Sequence, residues 1–193
     1  MNILVTGNNG YIGSRLTQLL LGADYGVVGL DTNYYQDCEF DQFQNPRIRQ
    51  ISKDIRAVSK EDLANIDAVI HLAALSNDPL GAFNPRLTDD VNYLATVKLA
   101  DLAKEAGVRR FLYASSCSLY GLAGEEAVSE DSPMAPITEY AISKVKSEEA
   151  LTKKADDSFS PVFLRASTAY GISPMLRCDL VVNNLTGWAY TSG

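Results

Sequence analysis

The stretch Ile3-Leu4-Val5-Thr6-Gly7-Asn8-Asn9-Gly10-Tyr11-Ile12-Gly13 decides the fold. Ile3-Leu4-Val5 is a short apolar, β-favouring run that reads as a buried strand. It breaks at Thr6-Gly7, three glycines follow at three-residue spacing, and a helical pattern opens with Ile12, Leu16, Leu19 and Leu20 on one face. In a strand–turn–helix each glycine has its own task. Gly7 allows the tight turn, Gly10 lets a diphosphate reach backbone N–H groups, and Gly13 lets helix and strand pack closely. The helix start then faces the anion with its partial positive charge. A glycine triplet alone also fits a turn closed for packing, and what separates the readings is Asp31. Tyr25 to Leu30 reads as a second strand with Asp31 at its carboxyl end, about 18 residues past Gly13. An acid there accepts both ribose hydroxyls of an adenosine and repels a 2′-phosphate, so the expectation is NAD rather than NADP.

Composition sets the outer limits. A chain of 193 residues with 46% hydrophobic content predicts one domain with a proper core. The net charge of -7 argues against nucleic acid or an anionic membrane surface as a partner. No charged-then-apolar leader precedes the first strand and no run of eighteen apolar residues occurs, so the expectation is a protein that neither spans nor coats a membrane. Cys38, Cys117 and Cys178 are scattered without metal-ligand spacing, which fits a reducing cytoplasm. A single histidine, His71, excludes a His-rich metal site, and no metal is expected.

Strands and helices alternate through the rest of the chain. Residues 32–46 are polar and aromatic (Tyr34, Tyr35, Phe40, Phe43), either a loop over the adenosine end or a plain surface loop. Arg47 to Ile51 reads as a third strand. Asp54-Ile55 follows its end, where a carboxylate can accept from an adenine amino group, and Ser59 opens a short helix with Glu61 and Asp62 in its first turn. Asp67 to Leu72 is a fourth strand containing His71, a packed core histidine by its apolar setting, and running into the small Ala73-Ala74, which permits close ligand approach. A long amphipathic helix is expected from about Leu87 to Ala106, with Val91, Leu94, Ala95, Leu99, Leu102 and Ala103 as its stripe, stopping at Gly107. Asn92 near its start is placed to hold a neighbouring loop. The fifth strand, Arg110 to Ala114, ends in Ser115-Ser116-Cys117-Ser118, in the crevice where open α/β sheets bind ligands, although such serines also cap turns. An acidic solvated loop follows with Glu125, Glu126, Glu130 and Asp131. Thr138 then caps a helix carrying Tyr140 and Lys144, with Lys146, Glu148 and Glu149 on its wet face.

Tyr140 and Lys144 lie four apart, hence on one helix face. An ammonium beside a phenol favours the phenolate, which makes a general base available at neutral pH. With ten tyrosines the pair alone is weak; in series with the glycine turn, Asp31 and the strand-end serines it is specific.

These pieces together resemble the extended short-chain dehydrogenase/reductase family, in its NAD-dependent nucleotide-sugar epimerase/dehydratase branch. The resemblance rests on Gly7-Asn-Asn-Gly10-Tyr-Ile-Gly13, Asp31, Asp54-Ile55, His71-Leu-Ala-Ala74, Asn92, Ser115-Ser-Cys-Ser-Leu-Tyr-Gly121, Tyr140-Ala-Ile-Ser-Lys144 and Arg165-Ala-Ser-Thr-Ala-Tyr-Gly171. It implies a Rossmann-type doubly wound α/β parallel sheet in the order 3-2-1-4-5-6 over residues 1–193, with 172–193 the start of a substrate lobe otherwise largely absent from this chain. It further implies Ser116, Tyr140 and Lys144 as catalytic residues: the serine orients a substrate hydroxyl, the tyrosine is acid/base, and the lysine favours its phenolate and holds the nicotinamide ribose. The cofactor set it implies is Gly7, Asn9, Gly10, Tyr11, Ile12, Gly13, Asp31, Asp54, Ile55, Leu72, Ala73, Ala74, Asn92, Ala114, Tyr140 and Lys144, with the nicotinamide near Tyr170-Gly171. The substrate set is Ser76, Ser116, Ser118, Thr168 and Asn183. Family dehydratases carry acids just after the catalytic Ser/Thr and decarboxylases a glutamate two past it; Cys117 and Ser118 stand here, and Thr168 stands where the family often has Asn. The reading that remains is a UDP-glucose 4-epimerase-like reaction on a nucleotide-activated sugar, passing through a keto-sugar with NADH bound. A dehydratase or dehydrogenase, or a non-catalytic NAD-binding module, are the alternatives. The resemblance also implies a cytoplasmic homodimer pairing through the 87–106 helix and the helix of Tyr140.

Overall fold

The computed structural model describes residues 1–40, 48–76, 78–122 and 127–193, and the side chains of all of these except 78–80. Six strands form one sheet: β1 (Asn2–Thr6), β2 (Gly26–Asp31), β3 (Arg49–Ser52), β4 (Ala68–His71), β5 (Arg110–Ser116) and β6 (Ser160–Ala166). Their order is β3-β2-β1-β4-β5-β6, and every neighbouring pair is parallel. This is the expected doubly wound order, with the sequence reversing direction in space between β1 and β4. Arg47 and the Phe43–Pro46 part of the loop lie outside the described residues, as do Glu125 and Glu126.

The central strands are apolar without alternation because both faces are covered. Leu4 of β1 faces one core with Leu30, Val69, Phe111 and Tyr113. Ile3 and Val5 face the other with Val27, Ala68 and Ile70. On the second face lies α1 (Tyr11–Gly22), which contributes Leu16, Leu20 and Leu21. Ile12 and Leu19, expected on that stripe, are 48% and 68% exposed, while Ser14 and Thr17 are buried instead.

The first face is covered by α4 (Ala95–Glu105) and α5 (Glu139–Thr152), whose Leu99, Ala100, Ala103 and Leu151 are fully buried. The small α2 (Asp78–Phe83) and α3 (Pro85–Thr88) precede α4. Asn84 caps α3 by accepting from Leu87 N at 3.1 Å, and Pro85 occupies the first helical position, where it forfeits no hydrogen bond. The helix read as continuous from Leu87 is interrupted by a π-helical turn, Asp89–Leu94, and Leu94 is 51% exposed rather than part of the stripe. Gly107 ends α4 at φ +82, a conformation that costs glycine little. The last helix, α6 (Val181–Ser192), buries none of its residues.

Candidate active site

The structure shows the turn at Gly7 and the close packing at Gly13 that the spacing predicts. Gly7 sits at φ +71, and a Cβ there would approach Ala73 N to 2.9 Å. A Cβ on Gly13 would lie 2.0 Å from the Gly7 carbonyl oxygen, so helix and turn could not pack. On Gly10 it would meet one atom, that same oxygen, at a tight 3.3 Å, far less crowded than at Gly13. The first turn of α1 has neither a capping side chain nor an acid, which leaves its N–H groups and positive end for an anion. The Asp31 carboxylate accepts backbone N–H groups of Asn9 (3.2 Å) and Asn33 (3.0 Å) and stands at the open end of β2. Amides extend this edge: Asn9 Nδ2 donates to Asn33 Oδ1 at 2.6 Å, Asn33 Nδ2 to Ser52 Oγ at 3.1 Å, and Asn8 pairs with Gln50. Asn8 fills the space left by Gly29, where a Cβ would come within 2.5 Å of the Asn8 amide. An uncapped helix start, a glycine turn without side chains and an acid at the next strand's end fit the diphosphate and ribose of a dinucleotide.

Two other expected contacts, Asp54 and Ile55, also have partners within the protein. Asp54 caps the turn Ile55–Ala57 through Arg56 N at 2.8 Å and pairs with the Arg56 guanidinium at 2.7 Å, which holds its carboxyl below the ordinary range. Ile55 turns its side chain into the core. Ser59 opens a 3₁₀ turn rather than an α-helix, with the Asp62 carboxylate accepting from Ser59 N.

Beyond β4 the chain passes Leu72, Ala73 and Ala74, and its path is fixed by Asn92. The buried Asn92 amide accepts from Leu75 N (2.8 Å) and donates to Leu75 O (3.0 Å) and Ser143 Oγ (3.3 Å), tying that loop to α5. His71 lies between Thr6 Oγ1 (2.6 Å) and Thr96 Oγ1 (2.7 Å). Full burial pushes it down to about 3, so it is a neutral structural residue.

The expected catalytic residues meet where α5 crosses the end of β5. Thr138 caps α5 through Ala141 N at 3.2 Å and sets Tyr140 in the first turn. Lys144, one turn on, is 3% exposed; its Nζ donates to Ala114 O at 2.6 Å and lies 4.6 Å from the Tyr113 ring centroid and 5.3 Å from that of Tyr140. Burial pushes the Lys144 ammonium down to about 7, against the opposing pull of Glu148. The same burial pushes the Tyr113 phenol up. Ser116 is the last residue of β5. Its Oγ accepts from Ser118 N (3.2 Å) and Ser118 Oγ (2.9 Å) at the mouth of the turn Cys117–Tyr120. Gly121 closes that turn at φ +67, where a Cβ would strike Ala135 O at 2.0 Å.

Of the remaining expected substrate residues, Ser76 and Asn183 are both bonded to Arg177. Ser76 accepts from Arg177 at 3.0 Å, Thr168 is exposed, and Asn183 is drawn toward the glycine turn. Asn183 donates to Tyr11 Oη (3.0 Å) and accepts from Gly171 N (2.9 Å), while Tyr11 Oη donates to Gly171 O (2.7 Å). Gly171, the expected nicotinamide neighbour, therefore stands beside the α1 entrance. Ser173, not singled out in the sequence, reinforces the tie through Tyr11 O (2.7 Å) and Ser14 Oγ (2.9 Å). Arg177 was missed as well. It pairs with Asp179 at 2.6 Å and lies close enough to Tyr140 and Tyr11 to feel both. Glu148, expected on the wet face of α5, is 3% exposed and paired with Arg165 at 2.6 Å; its place at four-residue spacing after Tyr140 and Lys144 was the available signal.

Among the described residues no helix is long and apolar enough to cross a membrane, and no group of ligand side chains could hold a metal ion. The model of the NAD dependent epimerase/dehydratase family matches residues 3–184. The UDP-glucose 4-epimerase of Mycolicibacterium smegmatis is 35% identical over 156 residues, 77% of this chain and 49% of that protein. Among solved structures, the NAD-dependent NDP-hexosamine 5,6-dehydratase TunA superposes with TM-score 0.86 at 27% identity, over 98% of this chain and 61% of its own. The UDP-glucuronic acid 4-epimerase of Bacillus cereus, bound to UDP-glucuronic acid and NAD, superposes with TM-score 0.83 at 30% identity, over 98% of this chain and 63% of its own. The chain spans about half the length of the curated relatives it matches. A match from the first strand into the last helix, over the glycine turn, Ser116 and the Tyr140–Lys144 pair, means that the chain belongs to the NAD-dependent epimerase/dehydratase family.

Proposed function

We propose that the protein of this chain is an NAD-dependent epimerase of a nucleotide-activated sugar, UDP-glucose 4-epimerase-like in its chemistry. The observation that carries the reading is Lys144 Nζ held at 2.6 Å from Ala114 O and 5.3 Å from the Tyr140 ring, at the strand end that presents Ser116. Gly7, Asn9, Gly10, Tyr11, Ile12 and Gly13 would hold the diphosphate and Asp31 the adenosine ribose. Leu72 to Ala74, Asn92 and Ala114 would line the path to the nicotinamide ribose, which Lys144 and Tyr140 would bind. The bound nicotinamide supplies a reversible hydride acceptor. Ser116 holds the sugar hydroxyl in line, Tyr140 takes its proton as the carbon is oxidised, and the same phenol returns a proton when the keto-sugar is reduced on its other face.

Epimerisation is favoured over dehydration by what surrounds Ser116. Cys117 and Ser118 offer no carboxylate, and the buried acid Glu148 is occupied by Arg165 and Ser115. The two residues after Ser116 thus supply no acid to remove an α proton or protonate a leaving hydroxyl. Residues 172–193 are read as the start of the substrate lobe, which accounts for the outward Val181, Leu185 and Trp188, all more than 60% exposed. A cytoplasmic homodimer paired through α4 and α5 belongs to the same reading.

The test is Tyr140→Phe in the full-length protein, screened with nucleotide sugars by isomer ratio. Turnover falls by about 10²–10⁴ while NAD affinity is nearly unchanged, the usual worth of a positioned acid/base. Normal turnover in the variant would mean that another group is the base, and no turnover by the unaltered protein with any nucleotide sugar would leave a non-catalytic NAD module. Loss of water from the sugar would make the protein a dehydratase, as TunA is described.

A further inference from the structure

Glu148 continues the stripe of Tyr140 and Lys144 by one more helical turn, and it is a buried acid that proton transfer to substrate does not use. Its carboxylate is gripped from two elements. Ser115 Oγ donates to Oε1 at 2.5 Å, and Arg165 of β6 donates through Nε to both oxygens (3.1 and 3.2 Å) and through a terminal nitrogen to Oε2 at 2.6 Å. The other terminal nitrogen of Arg165 donates to Tyr120 Oη and to Glu130 O, both at 2.8 Å. Three consecutive residues of β5 are thus fixed for the site. Ala114 gives its carbonyl to Lys144, Ser115 gives its hydroxyl to Glu148, and Ser116 faces the crevice.

We propose that Glu148, clamped by Arg165, is the positioning residue of this site: it locks the β5 end that carries Ser116 and places a negative charge one helical turn from the buried Lys144 ammonium. The role rests on the epimerase reading only for its consequence in turnover; the arrangement itself needs no substrate. A buried ion pair that served stability alone would be poorly chosen, because apolar replacements of such pairs are often neutral or stabilising. Here the carboxylate sits one turn from a lysine that burial drives toward neutrality, and it opposes that drive. The groups facing Lys144 are His71 from β4, Tyr113 from β5, and Tyr140 and Glu148 from its own helix, with Arg165 of β6 behind the carboxylate. His71 is neutral and the Tyr113 phenol is pushed up by burial, so among these groups Glu148 supplies the negative charge beside whatever the Tyr140 phenol carries when ionised.

The experiment reads the Lys144 ammonium directly, by NMR of the cofactor-free protein labelled at lysine Cε, with Lys144→Met identifying the signal. The unaltered protein titrates near 7. Glu148→Gln keeps an acceptor for Ser115 and removes the charge; it lowers the midpoint by a unit or more, about a tenfold larger dissociation constant. Arg165→Met leaves the carboxylate without its counter-charge and raises the midpoint. Opposite shifts are the signature, because a merely structural pair would destabilise the fold equally from either side. If either single variant unfolds, the double variant Glu148→Gln with Arg165→Gln keeps an amide pair, and the midpoint must still fall, because the nearer charge has gone. A midpoint unmoved in the folded variants, or moved the same way by both singles, overturns the proposal. Absence of epimerase activity with these shifts intact would overturn the function alone.

Discussion

At the scale of single residues, the two charged groups that matter most act by where burial leaves them. Lys144 is charged in the unfolded chain up to about pH 10.4 but is held near 7 in the fold. Between those values the unfolded state binds more protons, so this group makes stability rise with pH, and below 7 the full cost of burying the ammonium is present. Lys144→Met removes that cost. Its melting temperature should exceed that of the unaltered chain at pH 6 and converge on it toward pH 10, while NAD affinity falls with the ribose contact; equal offsets at both pH values would mean that the lysine is not desolvated. Asp31 acts through geometry instead. Its carboxylate is already oriented by Asn9 N and Asn33 N, so a 2′-phosphate would meet a fixed negative charge. Calorimetry of this chain should give NAD a much lower Kd than NADP, and Asp31→Ala should narrow that gap largely by improving NADP. Equal affinities before mutation would remove Asp31 from the cofactor site.

At the scale of elements, the glycine turn allows a prediction that separates packing from binding. Gly13→Ala drives a methyl into the Gly7 carbonyl at 2.0 Å, against backbone that cannot give, and should cost about 1–3 kcal/mol of stability or abolish folding. Gly10→Ala meets one atom at 3.3 Å, so the fold should survive with its melting temperature within a few degrees while NAD affinity drops. If Gly10→Ala bound NAD normally, the diphosphate would not cross that side of the turn. This turn was legible because each of its constraints lies within a dozen residues of sequence, and the strand order followed from it through right-handed crossovers. Elements whose faces depend on distant partners were read less well. Glu148 looked like solvent-facing charge because its partner Arg165 comes from another strand. Ser14 and Thr17 displaced Ile12 and Leu19 from the inner face of α1, with Ser14 bonded to Ser173 from far along the chain. The helix expected to run unbroken from Leu87 instead carries a π-helical turn at Asn92, whose amide is committed to Leu75 and Ser143. Such turns are common at functional sites, and periodicity cannot signal them.

At the scale of the whole molecule, α4 and α5 lie side by side and present one outer face made of Tyr93, Val97, Lys146, Glu149, Ala150 and Lys153. Across it Lys146 pairs with Asp89 at 2.6 Å and packs over the Tyr93 ring at 5.5 Å, while Lys154 pairs with Asp101. Neutralising these lysines within the chain would lower the cost of bringing a second copy against the same face, and a two-fold axis between antiparallel helix pairs would make that patch self-complementary. The catalytic helix would then be braced from outside, with Tyr140 and Lys144 on its inner side and the contact on its outer one. Sedimentation of this chain at micromolar concentration should give a dimer. Val97→Glu, a half-buried position at the centre of the face, should shift it to monomer by setting two carboxylates against each other across the axis. Circular dichroism should be unchanged, because Val97 lies outside the buried core formed by Leu99 and Ala103. A chain that stays monomeric at all concentrations, or a Val97→Glu dimer as tight as the original, would move the contact elsewhere and leave α5 braced by the sheet alone.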